Sequence, residues 1–465
     1  MKRWKEVTAA EAKVFVAHCY IMGQIKKSRL EDYWSNNPFT VTPFFGKYMS
    51  RNRFQEISRN IHLADVRNQL PKTNPEYDSL FRLRPLINMC HKNFPSALIP
   101  ERELAIDEAS CPWKGRGFKV FNPSKPNKYH MKLYQLCESK SGYCLYFHVY
   151  TPDTEKDNTD LTKTTRKVVS LLELANCLGK GHHVYMDNFY SSPQLFDELL
   201  KNNTHACGTV RANRKGLPKA LTGLKLKKGD ICYRRKGRTL AIKWHDKRQV
   251  FLLTTIHSAH EMDVKLNFEG KRVVKPVAVN DYNQFMLGVD LNDQMVGYYS
   301  YNRRTRKWSK KLMNHILDVI MTNAYILYHK FYVRQADQLE NETAKQTALK
   351  KILSHREFVF SCCEKLLGAP VDVSHEVLPA ASTAAHFPEV NAYQKQSSVP
   401  KRKIPARRCV LCSEAAKENP TVKIHSSSFQ CQKCKKCLCI GERNCFLWYH
   451  THTTPLETRA NYKET

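Results

Sequence analysis

Three aspartates stand where short apolar runs end. Leu104-Ala105-Ile106 runs into Asp107 and Glu108, Val184-Tyr185-Met186 runs into Asp187, and Gly288-Val289 leads to Asp290. The first two runs have the length and turn-bounded ends of strands, and Asp290 stands just ahead of a long amphipathic helix pattern. Three carboxylates gathered at one edge of a sheet would be hard oxygen ligands, suited to Mg²⁺. Two such ions about 3.5 to 4 Å apart can activate water or a 3′-hydroxyl and stabilise the leaving oxygen of an in-line phosphoryl displacement. Asp293, one helical turn past Asp290, can assist it or cap the following helix.

A second set of ligands lies near the carboxy terminus. Seven of the 17 cysteines fall between Cys409 and Cys445 in paired spacing: Cys409-x-x-Cys412, Cys431-x-x-Cys434, then Cys437, Cys439 and Cys445, followed by His450 and His452. Paired thiolates chelate tetrahedral zinc, and eight ligands suffice for two ions. Cys409, Cys412, Cys439 and Cys445 are taken as one set, and Cys431, Cys434, His450 and His452 as the other. Whether Cys437 or Cys439 is the ligand stays open. Modules of this kind read DNA, histone tails or protein partners. The other ten cysteines are scattered, which fits zinc in a reducing compartment better than a disulfide scaffold.

Charge points to a polyanionic partner. Lys and Arg number 75 against 43 Asp and Glu in 465 residues, a formal net charge of +32. From Arg211 to Arg248 fourteen Lys and Arg face only Asp230 and Asp246, interleaved with Cys232, Tyr233, Leu240, Ile242 and Trp244. That alternation suggests strands with one face on a small core and the other, including Arg234, Arg235, Lys236 and Arg238, towards DNA phosphates. Arg303, Arg304, Arg306, Lys307, Lys310 and Lys311 crowd six positive charges into nine residues. The Pro123 to Lys128 loop is rigid and basic, with Lys128 suited to a phosphate backbone. No apolar run is long enough for a spanning helix, and the first residues lack a signal-peptide core. The expectation is a soluble intracellular protein without membrane contact. Pro400-Lys401-Arg402-Lys403 would serve nuclear import.

These residues need elements to hold them. Ala9 to Ile25, a stretch from Met49 to Ile57 with Ser50 as N-cap, and Phe81 to Phe94 read as helices. Strands are expected at Glu103 to Asp107, Tyr129 to Cys137 and Tyr143 to Tyr150. A helix from about Thr164 to Leu178, a strand at His183 to Met186 and a helix from Pro193 to Lys201 follow. The hundred residues between Asp187 and Asp290 exceed a single crossover and argue for an insertion. Trp308, Leu312, Ile316, Val319, Ile320, Leu327 and Phe331 recur at helical spacing and make one apolar stripe. Beyond about Leu339 helix signal weakens, and Ala369 to Ser398 reads as a linker.

Four blocks in register carry a family resemblance: IDEASCPWKGRG, NPSKPNKYHMKLYQLCESKSGY, VYMDNFYSSPQLFDELL and GVDLNDQMVGYYSYNRRTRKW. They resemble the successive blocks of piggyBac-type transposases and the domesticated proteins derived from them, from about Tyr20 to His452. The resemblance implies an α/β, RNase H-like core with a catalytic Asp107, Asp187 and Asp290 triad binding two Mg²⁺. It implies nicking, hairpin formation at the transposon end and joining to target DNA. Trp308 matches a tryptophan linked to flipped bases of a DNA hairpin. The LEDYWS and MSRNRF blocks imply a helical amino-terminal region that binds transposon ends and pairs two subunits, and any acidic leader is expected to be short or missing.

The organisation expected is therefore a helical DNA-binding and dimerisation domain at 1–100, the first part of the RNase H-like core at 101–203, a basic β-rich insertion at 204–285 and the last part of the core at 286–340. A helical tail and linker at 341–408 and a cysteine-rich module holding two Zn²⁺ at 409–455 would follow. Two functions fit: an active cut-and-paste transposase, likewise nuclear and homodimeric, or a domesticated nuclear protein that binds DNA or chromatin without transposing.

Overall fold

The computed structural model describes residues 4–151, 162–259, 262–266, 272–368, 388–390, 407–418, 423–427, 429–431, 434, 436–439 and 445. Two compact units divide the chain, Met1–Val371 and Asp372–Thr465.

The larger unit opens with α1 (Ala9–Gln24), α2 (Pro43–Tyr48), α3 (Arg51–Asn60) and α4 (Arg84–Ala97). Thr8 and Glu11 form a capping box at the start of α1, and Ser50 accepts the Arg53 N–H at 3.3 Å at the start of α3. Phe15, Phe45 and Phe54 join the first three helices in one apolar cluster. α4 instead lays Ile87, Cys90 and Phe94 against the central sheet.

That sheet begins with β1 (Glu103–Pro112), β2 (Lys119–Phe121), β3 (Tyr129–Glu138) and β4 (Cys144–Val149). It continues through α5 (Lys163–Leu174), β5 (His183–Met186), α6 (Pro193–Lys201) and β6 (His205–Thr209). β3 lies antiparallel between β1 on one side and β2 and β4 on the other, while β5 and β6 run parallel to β1. After α7 (Lys219–Thr222), the strands β7 (Ile231–Lys236), β8 (Thr239–His245) and β9 (Gln249–Thr254) join the same sheet through β9, which pairs antiparallel with β6. The basic segment therefore extends the central sheet instead of folding apart from it. β6, beyond residue 203, is one of the sheet's central strands.

A two-stranded ribbon, β10 (Met262–Leu266) and β11 (Arg272–Pro276), leads to α8 (Val277–Phe285), α9 (Gly288–Tyr298) and α10 (Trp308–Asp337). The sheet is thereby covered on both faces. α5 and α6 bury Val168, Leu171, Leu195 and Phe196 against Leu104, Ile106, Val184 and Met186. On the opposite face, α9 and α10 bury Val289, Val296, Leu312, Ile316 and Val319 against Ala109, Cys111, Leu133 and Cys137. Polar side chains tie down the β3–β4 turn. Asn323 accepts the Cys144 N–H at 2.9 Å and donates to its carbonyl at 2.8 Å, and Asn292 donates to the Gly142 carbonyl at 2.8 Å.

The weak helix signal beyond Leu339 hides two helices, α11 (Glu342–Lys350) and α12 (His355–Leu367). α12 packs on α1, and its amphipathic pattern is faint because only Val359 and Cys363 on it are fully buried. In the smaller unit, β12 (Pro388–Val390) falls within the stretch read as linker. It pairs antiparallel with β15 (Phe429–Cys431), and β13 (Arg407–Arg408) pairs with β14 (Ser426–Ser427). The helix α13 (Val410–Glu418) lies between β13 and β14 in the chain.

Candidate active site and cysteine cluster

Strand register sets the acidic site. The last parallel couple of β1 and β5 is Ile106 with Met186, so Asp107 and Asp187 are the next residues of two neighbouring strands. Leu104, Ile106, Val184 and Met186 point to the α5 and α6 face. Alternation then sends Asp107 and Asp187 to the opposite face, the one that α9 covers. Asp290 lies in the first turn of α9. Gly288 brings that turn close: a Cβ there would stand 2.9 Å from the Ser139 Cα and 3.1 Å from the Ala105 Cβ. The Asp187 carboxylate also closes its own turn, accepting the Phe189 N–H at 2.8 Å, and the Asp107 carboxylate accepts the Glu108 N–H at 2.8 Å.

Electrostatics register the proximity. Burial, reinforced by the negative charges of Asp187, Glu108 and Asp290, pushes the Asp107 carboxyl up to about 7. Asp187 is raised as well, first by burial and then by Glu108, with the Arg211 guanidinium acting against it. Such a cluster asks for cations. Among the described residues its oxygens are less tightly gathered than the cysteine sulfurs described below. A metal pair, unlike one tetrahedral ion, spreads its ligands over both ions.

Asp293 does not cap its helix. Its Oδ2 accepts the Ser110 N–H at 3.2 Å, on the edge of β1 left unpaired where β5 stops, and burial pushes its carboxyl up to about 7. Trp308 is half-buried at the start of α10, with its ring edge-on to Phe118 at 4.8 Å, beside the Lys114–Gly117 turn that follows β1. Two residues that sequence reasoning did not single out as site residues lie on the α5 and α6 side of the same strands. Lys132 on β3 pairs with Glu108 at 3.1 Å, and Tyr190 is buried, with burial first and the charges of Glu108 and Asp107 next holding its hydroxyl well above the usual phenol range. A lysine inside the apolar MKLYQL run was the available signal, but its partner depends on register.

Most of the basic candidates are exposed, and two of them also bond to backbone carbonyls. Arg234, Arg235, Lys236 and Arg238 are exposed around the β7–β8 turn on the outermost strand, and Lys128 is exposed in its loop. The expected alternation fails on β8, where burial is nearly continuous and Lys243 turns inward to donate to the Thr222 carbonyl at 3.2 Å. In the cluster before α10, Arg304 and Arg306 are exposed. Arg303 donates to the Lys27 carbonyl at 3.1 Å and Lys307 to the Arg59 carbonyl at 3.0 Å, so these two tie the helical amino-terminal region to the core.

In the smaller unit Cys409, Cys412, Cys439 and Cys445 are buried, with their sulfurs all within 4.8 Å of one another. Cys412 Sγ is 3.9 Å from both Cys439 Sγ and Cys445 Sγ. Four sulfurs about 2.3 Å from a tetrahedral zinc lie about 3.8 Å apart, so the donor set fits one such ion. Cys437 is not in this set; its carbonyl accepts the Val410 N–H at 2.9 Å. Cys431 Sγ accepts the Cys434 N–H at 3.4 Å, as a ligating thiolate in a Cys-x-x-Cys turn does. His450 and His452 lie outside the described residues.

A family model described as Transposase IS4 matches residues 1–325. The human PiggyBac transposable element-derived protein 3 is 26% identical over 352 residues, 72% of this chain and 57% of that protein. The human PiggyBac transposable element-derived protein 5 is 22% identical over 345 residues, 70% of this chain and 63% of that protein. The matches thus span less than two thirds of these curated relatives' length. Among solved structures, a cryo-EM piggyBac transposase synaptic complex with hairpin DNA superposes with a TM-score of 0.65 at 21% identity, over 94% of this chain and 88% of that one. The mixed α/β fold is thus similar to that of piggyBac transposase, and with the family model matched over most of its length the chain belongs to the Transposase IS4 family, in its piggyBac-type form.

Proposed function

We propose that the protein is a piggyBac-like DNA transposase, in which an RNase H-like core uses Asp107, Asp187 and Asp290 to hold two Mg²⁺ for strand nicking, hairpin formation and strand transfer. The observation that carries this reading is the shared sheet face of Asp107 and Asp187 beneath the first turn of α9. When bound, the ions supply activation of the attacking oxygen and stabilisation of the leaving one. The protein's own part is to fix the carboxylates. The middle of β1 and the end of β5 position two of them, the Gly288 approach positions the third, and Asp293 anchors α9 to β1 through Ser110. Trp308, next to the turn that follows β1, offers a ring on which an unpaired base can stack. Lys128, Arg234, Arg235, Lys236, Arg238, Arg303, Arg304, Arg306 and Lys307 hold phosphates and position the DNA.

The cysteine cluster is assigned zinc, one ion on Cys409, Cys412, Cys439 and Cys445 and a second on Cys431 and Cys434 with His450 and His452. We assign the protein to the nucleus, as a homodimer on transposon ends and target DNA. The relatives' names favour a second reading, a domesticated nuclear protein that binds DNA or chromatin without transposing. A plasmid carrying the genomic DNA that flanks the coding sequence separates the two. Mg²⁺-dependent nicking by the wild type, lost in Asp187→Asn, supports the transposase; DNA binding without any nicking supports the domesticated form.

A further inference from the structure

β5 stops at Met186 while β1 runs on to Pro112, which leaves a notch beside the aspartates. Lys132 spans that notch. On β3 it shares the α5 and α6 face with Tyr134, on the opposite side of the sheet from Asp107, and its ammonium lies 5.3 Å from the Tyr134 ring centroid and 5.2 Å from that of Phe189. Phe189 is two residues past Asp187. The ammonium's hydrogen-bond partner is Glu108 Oε1 at 3.1 Å, and the two side chains remain 19% and 21% exposed. Two more cations hold the same loop. Arg211 donates to Asn188 Oδ1 at 2.9 Å, and Arg214 donates to the Phe189 carbonyl at 3.1 Å.

Glu108 is costly where it stands. Its charge adds to the repulsion on Asp107 and Asp187, and a neutral residue would relieve it. What Glu108 supplies is an anion for a half-buried ammonium that two aromatic rings hold in one place. The Tyr190 hydroxyl is buried without a hydrogen-bond partner, and Glu108 is the first of the charges that act on it. That hydroxyl is a donor available to the Glu108 carboxylate once Lys132 leaves it.

We propose that Lys132 is a DNA-positioning residue that exchanges Glu108 for a backbone phosphate of the strand entering beside Asp187, with the Glu108 carboxylate standing in for that phosphate in the free protein. The proposal rests on the DNA-processing reading above and deepens it. The exchange makes and breaks no covalent bond: a carboxylate–ammonium pair becomes a phosphate–ammonium pair, and Glu108 turns to Tyr190. The two changes therefore act oppositely on DNA. Removing Lys132 loses one phosphate contact, whereas neutralising Glu108 removes the competitor.

The test measures binding of a fluorescent random-sequence DNA duplex to the full chain in EDTA, across a salt series. Lys132→Met should weaken binding about three- to tenfold and lower the salt slope by about 0.9, the value of one phosphate. Glu108→Gln should tighten binding by a similar factor, the double variant should match Lys132→Met, and Lys132→Arg should stay close to wild type. Thermal melting of each variant shows that it is folded. Wild-type binding with an unchanged slope in Lys132→Met, or weaker binding in Glu108→Gln, overturns the exchange and leaves the DNA-processing reading standing. Absence of wild-type DNA binding overturns both.

Discussion

Asp107 and Asp187 each come one residue after a paired couple, Ile106 with Met186, on neighbouring parallel strands. Because side chains alternate along a strand, that single step puts both carboxylates on the face roofed by α9. A shift of one residue in either strand would send one of them into the apolar layer under α5 and α6.

The metal-free protein should lose stability as pH rises. Asp107 and Asp293 on this face, and Asp318 in α10, are each pushed up to about 7 by burial, from an ordinary value of 3.8. A carboxyl raised in this way favours the fold while protonated, so its contribution is present below about 4 and lost as pH climbs to about 7. Melting in EDTA should therefore fall between about pH 4 and 7, and Asp107→Asn should flatten part of that fall. Mg²⁺ should restore the wild type near pH 7 and help Asp107→Asn less. A melting temperature that rises across this window without metal would contradict the burial account.

Gly208 guards the Asp187 turn. It faces Met186 across β5 and β6, and a Cβ there would stand 2.5 Å from the Met186 carbonyl oxygen and closer still to Ser191 Oγ. Ser191 Oγ donates to the Asp187 carbonyl at 2.9 Å. Gly208→Ala should destabilise by about 1–3 kcal/mol and weaken divalent-metal binding, both measurable by melting with and without Mn²⁺. An unchanged melting temperature would show that the turn yields freely.

The β7–β8 turn tests the role of the exposed charges. Replacing Arg234, Arg235, Lys236 and Arg238 by neutral residues should reduce the salt slope of DNA binding by up to about 3.6, at about 0.9 per phosphate. Asp187→Asn should leave the slope nearly unchanged while abolishing cleavage. An unaffected slope in the four-residue variant would mean that the charges serve the sheet's outer strand instead, where they discourage edge-to-edge pairing.

Much of this was legible in the sequence because short-range chemistry fixes it. Thr8 with Glu11 and Ser50 with Arg53 mark helix starts within three residues, and β5 and α6 have the bounds that their apolar runs and Pro193 suggest. Cys409, Cys412, Cys439 and Cys445 assemble as the first set read from the spacing, with Cys439 filling a place that spacing left open between it and Cys437. What stayed hidden depends on distant partners. Lys243 lies in the most basic stretch, yet its destination is the Thr222 carbonyl, which only the fold brings near. Arg303 and Lys307, read from the sequence as DNA contacts, also donate to the backbone carbonyls of Lys27 and Arg59, and those acceptors carry no sequence signature. The Lys132–Glu108 pair likewise needs the register of β1 against β3.

Zinc removal should act on the smaller unit first. Its described apolar cluster consists of the four cysteines with Leu411 and Leu438, and Val410 against them, so among the described residues the thiolates that would coordinate zinc make up most of its core. Chelation should release two zinc ions per chain in the wild type and one in Cys412→Ala, read by a colorimetric zinc assay. Release of a single ion from the wild type would remove the second set, Cys431, Cys434, His450 and His452.

The central claim is that Asp107, Asp187 and Asp290 jointly hold a metal pair. Anomalous diffraction from crystals of the full chain soaked in Mn²⁺ tests it most directly. The account predicts two peaks about 3.5 to 4 Å apart, bounded by those three carboxylates, and loss of at least one in Asp187→Asn. Manganese bound elsewhere, with none between these three side chains, would contradict it.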